Sequence, residues 1–264
     1  MTAPDDSPNA SRRLFLHAAL ASPALIPGAV WSAAKDDQET APATAPDGFN
    51  EPGRTLPVVQ DADVIVCGAG PAGTAAAISA ARAGAKVRLF ENNGCLGGVW
   101  TAGLLTWIFD FDKPGLTREI VAELDARGAR RGGDPGRFVY EPDEMKLLLE
   151  DLCTGAGVHF RLQSRIVAAY REGRRLTTVV TESRSGREAW QAPVFIDTTG
   201  DGVLGSLAGC GWDLGDMGRD AQRECLCQPL TMNALAAVRD VSQMGQYISF
   251  YQGDLKWHVE ATEN

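Results

Sequence analysis

A glycine-rich turn is the strongest chemical signal in the sequence. It follows the apolar run at residues 63–67, whose β-branched side chains predict a buried parallel strand. The alanine-rich run at 74–83 predicts a helix that the turn opens. Free N–H groups at the N-terminus of such a helix, next to glycines without side chains, favour the phosphates of a dinucleotide. We therefore predict cofactor contacts from the whole turn, which reads Gly68-Ala69-Gly70-Pro71-Ala72-Gly73.

An acidic residue closes the second predicted strand, which covers residues 86–90. Glu91 follows this strand, and a carboxylate at that place can accept hydrogen bonds from the two hydroxyls of a ribose. Its negative charge also disfavours the additional phosphate of NADP. We predict that Glu91 and the adjacent Asn92 are cofactor-binding residues.

A second glycine-rich segment follows the acid, where an ordinary NAD-binding domain proceeds to its next helix. This segment contains Leu96-Gly97-Gly98 and then Thr101. Together with Glu91, the pattern resembles the FAD-dependent oxidoreductases, which are flavoproteins with a glutathione-reductase-like fold, related to the flavin-bearing subunit of heterodisulfide reductases. The resemblance implies that Gly97, Gly98 and Thr101 lie along the pyrophosphate and ribityl chain of FAD.

A third segment extends the resemblance. Residues 193–197 form another apolar run that predicts a buried strand, and Thr199-Gly200-Asp201 come shortly after it. In the family such a segment returns to the cofactor, which implies close backbone approach at Gly200 and places Asp201 at the ribityl or pyrophosphate region. Two matched segments in the same order favour FAD over NAD.

The segment between these signals predicts two helices and a meander. The helices are predicted at 116–130 and 142–153, and short strands at 158–170, 176–181 and 188–192. The resemblance implies that the first of these strands, with Arg165 and Ile166, offers backbone groups to the adenine. The predicted fold class is α/β, with a Rossmann-like FAD/NAD(P)-binding domain at 61–231. This domain has a parallel sheet with an inserted β-meander, and the C-terminal substrate region is incomplete.

The N-terminus predicts export. Arg12-Arg13 precede a mildly apolar stretch at 14–30, and small residues at 32–34 suit a signal peptidase. This pattern resembles a twin-arginine signal over residues 1–34, which delivers folded proteins to the periplasm or the cell exterior. A disordered tail and a retained membrane anchor stay open as alternatives. Residues 35–60 are rich in Asp, Glu, Ala, Pro and Thr, and predict a solvated linker.

Charge and hydropathy restrict the partners. The 264 residues carry a net charge of -9 without a long Lys/Arg run, which disfavours nucleic-acid binding. The only long apolar stretch fits an export signal better than a mature membrane span. The predicted partner is a small-molecule substrate, and the sequence does not identify the electron acceptor.

The cysteines add little chemistry to this picture. Cys67, Cys153 and Cys210 are expected to pack in the interior. Cys95 fits a small residue in a tight loop, with a thiol near the flavin as the alternative. No histidine qualifies as a general base, so the catalytic residues stay unassigned, and no metal site is predicted.

The sequence predicts an FAD-dependent oxidoreductase that transfers hydride from an unknown small molecule to flavin. The family pattern ends near residue 231, and residues 232–264 show no family motif, which predicts the N-terminal part of a longer flavoprotein or a truncated product. One alternative is a nucleotide-binding module without catalysis of its own. The other is an iron–sulfur flavoprotein that carries electrons, for which Cys225 and Cys227 offer only a Cys-x-Cys pair without the spacing of a cluster site.

Overall fold

A four-stranded parallel sheet forms the centre of the fold. The computed structural model describes residues 53–131, 136–213 and Asn233. The sheet consists of β2 (Val64–Cys67), β3 (Val87–Phe90), β7 (His159–Arg161) and β11 (Val194–Asp197), in the order β11-β2-β3-β7. Strand β2 is buried along its full length, as expected for a continuous apolar run inside a parallel sheet. The predicted parallel sheet and α/β class are thereby confirmed.

Three helices share one buried core with one face of this sheet. They are α1 (Pro71–Arg82), α2 (Leu116–Ala126) and α3 (Pro142–Gly155). Their apolar residues join Val64 and Val66 of β2 in one buried cluster. Helix α1 begins three residues before the alanine-rich run, because proline is favoured at the first helical position, where no intrahelical N–H bond is lost.

The predicted meander covers the opposite face. Its strands are β8 (Arg165–Glu172), β9 (Arg175–Ser183) and β10 (Gly186–Gln191), paired antiparallel in chain order. Trp190 packs with Ile65 and Cys67 of β2 in a second buried cluster. The indole N–H of Trp190 donates to Thr181 Oγ1 at 2.9 Å, which satisfies the one polar group that this large side chain brings into the interior.

Predicted boundaries of the meander and of the linker are wrong. The strand predicted at 158–170 breaks at Gln163, which has a φ of 49°, so its first part joins the parallel sheet as β7 and its second part begins the meander as β8. The predicted linker also extends too far towards the domain. Its last residues form β1 (Val58–Val59), which pairs parallel to β10 at the edge of the meander sheet.

The structure contains a small third sheet that the sequence did not predict. It contains β4 (Trp107–Ile108), β5 (Arg130–Arg131) and β6 (Phe138–Tyr140), in the order β4-β6-β5. The predicted helix at 116–130 ends early because Gly128, with a φ of 65°, terminates it and lets Arg130 enter β5. The hydroxyl of Tyr140 lies 2.9 Å from the Trp100 carbonyl and 3.1 Å from the Leu105 carbonyl, so this sheet is tied to the second glycine-rich segment.

The last described helix is α4 (Val203–Leu207). Just beyond it, Cys210 is exposed, which corrects the expectation that it packs in the interior, whereas Cys67 and Cys153 are buried as predicted. Among the residues described, no helix combines the length and apolar character needed to cross a bilayer. The predictions for residues 1–52, for Cys225 and Cys227, and for the tail other than Asn233 lie outside the described residues.

Candidate functional site

The three glycines of the first turn have different surroundings. Gly68 has a φ of 95°, and a Cβ there would collide with the carbonyl of Thr198. A Cβ on Gly73 would collide with the carbonyl of Gly68, because α1 packs directly on the turn. A Cβ on Gly70, by contrast, would meet nothing within 4 Å. Gly68 and Gly73 therefore allow close packing of the chain, and Gly70 leaves open space above the backbone.

The N-terminus of α1 is suited to an anion. Gly70 is the residue before the helix and provides no side-chain cap, and no acidic residue lies in the first turn. Ala72 is exposed beside it. The positive end of the helix dipole and its free N–H groups therefore face open space, which fits a phosphate group.

The carboxylate of Glu91 is joined directly to this turn. Its Oε2 accepts from the Ala69 N–H at 2.7 Å, and its Oε1 accepts from the main-chain N–H of Asn93 at 2.7 Å and the side-chain amide at 2.8 Å. Glu91 is 5% exposed, whereas the neighbouring Asn92 is exposed. The structure thus brings the predicted phosphate cradle and the predicted ribose acceptor together at the carboxyl ends of β2 and β3.

The second glycine-rich segment lies against the first turn. The N–H of Gly97 donates to the Ala69 carbonyl at 2.7 Å, and a Cβ on Gly98 would lie 2.9 Å from the Cα of Gly70. The two loops therefore approach each other closely at glycine positions beside the open cradle. Such an approach is possible because both positions are glycine, with φ values of 103° at Gly97 and 52° at Gly98.

Thr101 supports this second segment from inside. Its side chain is fully buried, and its hydroxyl donates to the Leu96 carbonyl. A Cβ on Gly97 would lie 2.6 Å from the methyl group of Thr101. The expectation that Thr101 faces the cofactor is therefore corrected for its side chain, which holds the loop together instead.

The third segment returns to the first turn, but through a residue that the sequence analysis did not select. Thr198 donates its hydroxyl to the carbonyl of Gly68 at 2.7 Å, and its N–H donates to the Cys67 carbonyl at 2.9 Å. Thr199 instead accepts from the N–H of Val203, the first residue of α4, at 2.7 Å. Gly200 is exposed with a φ of 87°, and a Cβ there would meet nothing within 4 Å. Asp201 is exposed as well.

The predicted adenine strand begins next to Glu91. The N–H of Ser164, just before β8, donates to the Glu91 carbonyl at 2.8 Å. Arg165 is exposed and is paired with Glu182 of β9, whereas Ile166 is buried in the second core cluster. The side chain of Ile166 therefore packs in the interior, and the start of β8 lies beside Glu91. Adenine contacts from the backbone of this strand stay a prediction.

The buried thiols and the buried phenol lack the properties of catalytic groups. Burial, with a smaller contribution from Asp197, raises the pKa of Cys67 to about 12. Burial also raises the pKa of Cys153 to about 12 and the pKa of Tyr140 above its usual value. These groups stay protonated near neutral pH. No cluster of three His, Cys, Asp or Glu residues suited to a metal ion occurs within the described part of the chain.

Sequence reasoning missed Thr198 and Asn93. The Thr-Gly-Asp pattern begins at the residue after Thr198, so it did not indicate Thr198. The available signal was a hydroxyl next to a strand end, which can bond a turn carbonyl. Asn93 carried no motif signal. Its proximity to the acid, with an amide donor two residues after a carboxylate, was the available hint.

Comparisons with known proteins place this geometry in a family. The model of the family described as FAD dependent oxidoreductase matches residues 63–263. Among curated proteins, thiamine thiazole synthase from Methanosarcina mazei is 35% identical over 136 residues, which is 50% of this chain and 50% of the synthase. The chain therefore spans about half the length of the curated relatives it matches.

Two solved structures resemble parts of the chain. A geranylgeranyl bacteriochlorophyll reductase-like protein from Thermoplasma acidophilum is 21% identical, with a TM-score of 0.45, and the match covers 58% of this chain and 42% of that one. THI4 from Thermovibrio ammonificans is 22% identical, with a TM-score of 0.43, and the match covers 58% of this chain and 64% of that one.

Proposed function

This chain belongs to the FAD-dependent oxidoreductase family, and on that premise we propose that it oxidises a small molecule by hydride transfer to flavin. The cofactor of the family is FAD. The observation that supports binding of the cofactor is the hydrogen bond between the Ala69 N–H and Glu91, at 2.7 Å, because it joins the turn predicted to hold phosphate to the carboxylate predicted to hold ribose.

The residues present fit the ADP half of FAD. Gly70 leaves open space at the positive end of α1, where the pyrophosphate would be held. Glu91 offers an acceptor to the adenosine ribose, and Gly97 and Gly98 keep the second loop close without side chains. FAD, when bound, supplies the two-electron redox chemistry, and the protein orients it and excludes competing reactions.

The first experiment is a visible absorption spectrum of the purified chain with and without FAD, before and after dithionite. We expect flavin bands that co-purify or appear on addition, and that bleach on reduction. A screen of small molecules under anaerobic conditions then identifies the substrate as the compound that bleaches the bound flavin. If the chain binds flavin but none of a broad set of substrates bleaches that flavin, the result would favour a nucleotide-binding module without catalysis of its own.

NAD is the matched control for the cofactor. NAD shares the ADP half of FAD, so it contacts the same predicted phosphate and ribose positions and differs only in the half that carries the redox chemistry. Binding of NAD in preference to FAD would contradict the proposal. Iron analysis of the same sample tests the electron-carrier alternative, and we expect less than about 0.1 iron per chain because four thiolates at cluster spacing are lacking.

Export completes the proposal. The paired Arg12-Arg13 and the mildly apolar stretch after them support delivery of the folded flavoprotein to the periplasm or cell exterior. The test is a reporter fused to residues 1–34. We expect export that is lost when both arginines are replaced by lysine, and export that is insensitive to this change would contradict the twin-arginine assignment.

A further inference from the structure

The carboxylate of Glu91 is fixed by three neutral donors. One is the Ala69 N–H, and the other two are the main-chain and side-chain N–H groups of Asn93, at distances of 2.7, 2.7 and 2.8 Å. A carboxylate offers about four acceptor positions, so three donors leave about one for a ligand. Because the donors are uncharged, they set the direction of the carboxylate without neutralising it with an opposite charge.

Asn93 is itself held in place by the connection between β7 and β8. Its carbonyl accepts from the Gln163 N–H at 3.0 Å, and the Ser164 N–H donates to the Glu91 carbonyl at 2.8 Å. Residues 91–93 are thus clamped on their backbone, which gives the Asn93 amide a defined direction. Asn93 is exposed, so its side chain contributes little to the hydrophobic core.

We infer that Asn93 is a positioning residue for nucleotide recognition. Its side-chain amide holds one oxygen of Glu91, and thereby keeps the carboxylate in the orientation in which its remaining acceptor position receives a ribose hydroxyl of an adenine nucleotide. The inference rests on the role proposed for Glu91. It does not depend on hydride transfer, because the ADP moiety is common to FAD and NAD.

Calorimetric titration of the full chain with ADP and with 2′,3′-dideoxy-ADP tests this role. We expect the wild-type chain to prefer ADP by about tenfold, since a ribose hydroxyl binds a charged acceptor. Asn93→Ala should reduce this preference about fivefold and leave the affinity for the dideoxy nucleotide unchanged. Glu91→Gln should lower the preference at least as much, and the double variant should lose no more than Glu91→Gln does.

A second variant separates orientation from side-chain volume. Asn93→Asp keeps the size of the side chain but places an acceptor opposite the Glu91 carboxylate, so we expect a larger loss of ADP preference than in the alanine variant. Gln191→Ala removes an amide of the meander sheet instead and should leave both affinities unchanged. Thermal unfolding of each variant confirms that the chain is folded.

The outcomes are distinct. If Asn93→Ala loses affinity equally for ADP and for the dideoxy nucleotide, Asn93 has only a structural role and the inference is overturned. An unchanged preference, or a wild-type chain that does not distinguish the two nucleotides or binds neither, overturns it as well. Failure of the proposed function looks different, because the ADP preference persists while no substrate reduces the bound flavin.

Discussion

At the scale of single residues, the glycines of the first turn are needed for two different reasons. Gly68 and Gly73 are required by the fold, because a Cβ at either would collide with a backbone carbonyl. Gly70 has free space where its Cβ would lie and is required only if a ligand comes close. The motif alone predicted the turn and its ligand class, but the packing of α1 on the turn was needed to separate the two kinds of glycine.

Gly73→Ala and Gly155→Ala form a matched pair of helical substitutions. The first should destabilise the chain by about 2–3 kcal/mol, because its Cβ overpacks the turn below α1. The second should be neutral or stabilising by up to about 1 kcal/mol, because Gly155 lies in α3 with nothing within 4 Å of its Cβ. Urea unfolding measures both, and equal effects would show that α1 does not pack on the turn as described.

The cysteines give a prediction for pH. The pKa of Cys67 and Cys153 rises from 9.0 to about 12 in the folded chain, with burial as the main cause. Unfolded thiols lose protons near pH 9.0 and folded ones near 12, so the unfolded state binds fewer protons in between. The contribution of these thiols to stability is therefore complete below this range and is lost as the pH rises through it.

Alkylation with iodoacetamide at pH 8.5, followed by peptide mass spectrometry, checks the thiols one by one. Cys210 is exposed and should react within minutes, whereas Cys67 and Cys153 should react only after unfolding in urea. Comparable labelling of Cys67 and Cys210 in the native chain would contradict the burial of β2.

The sequence predicted the type of residue at the site better than the direction of each side chain. Glu91 was predictable because an acid at the end of the second strand is a local signal. The inward direction of Thr101 was not, because the same Leu-Gly-Gly-x-x-Thr spacing is compatible with a side chain on either side of the loop. Only the contact between Thr101 and Gly97 decides it.

At the scale of elements, the site is assembled where β11 meets the first turn. Thr198 lies immediately after β11 and donates its hydroxyl to the Gly68 carbonyl at 2.7 Å. This hydrogen bond links the end of β11 to the turn between β2 and α1, although the two residues are 130 positions apart in the chain. The parallel pairing of β11 and β2 brings them together.

Thr198→Val removes this hydroxyl with little change in volume. We expect a loss of about 1–2 kcal/mol in stability and about a fivefold loss in FAD affinity, because the Gly68 carbonyl loses its donor and the turn loosens. Thr177→Val is the control, since its hydroxyl donates to the Tyr170 carbonyl from a half-buried position of β9, away from the first turn. Calorimetry and urea unfolding measure both effects, and identical behaviour of the two variants would contradict the role of Thr198.

Element prediction succeeded where the signal was local. The succession of β2, α1 and β3 follows from an apolar run, a glycine turn and an alanine-rich helix that lie next to one another in the sequence. The third sheet was missed because β4 and β5 have two residues each, which is too short to show a period of two. The break at Gln163 was missed because the apolar pattern continues through it, while tertiary pairing divides the segment between two sheets.

At the scale of the whole molecule, the parallel sheet divides the described residues into two cores. Val64 and Val66 of β2 face the helices, and Ile65 and Cys67 face the meander. The continuous apolar run predicted that both faces are covered. The run alone did not predict that helices cover one face and an antiparallel sheet covers the other. Which elements cover each face depends on the order of distant elements and not on β2.

The most direct test of the account is a titration of FAD into the wild-type chain and into Gly70→Ala, followed by flavin absorption and urea unfolding. The substitution adds one methyl group where nothing lies within 4 Å, so the folded stability should change by less than about 1 kcal/mol. If the pyrophosphate lies above this glycine, FAD should bind the wild-type chain and bind the variant at least about tenfold more weakly. Equal FAD affinity in two equally stable chains would contradict the claim that this turn is the cofactor cradle.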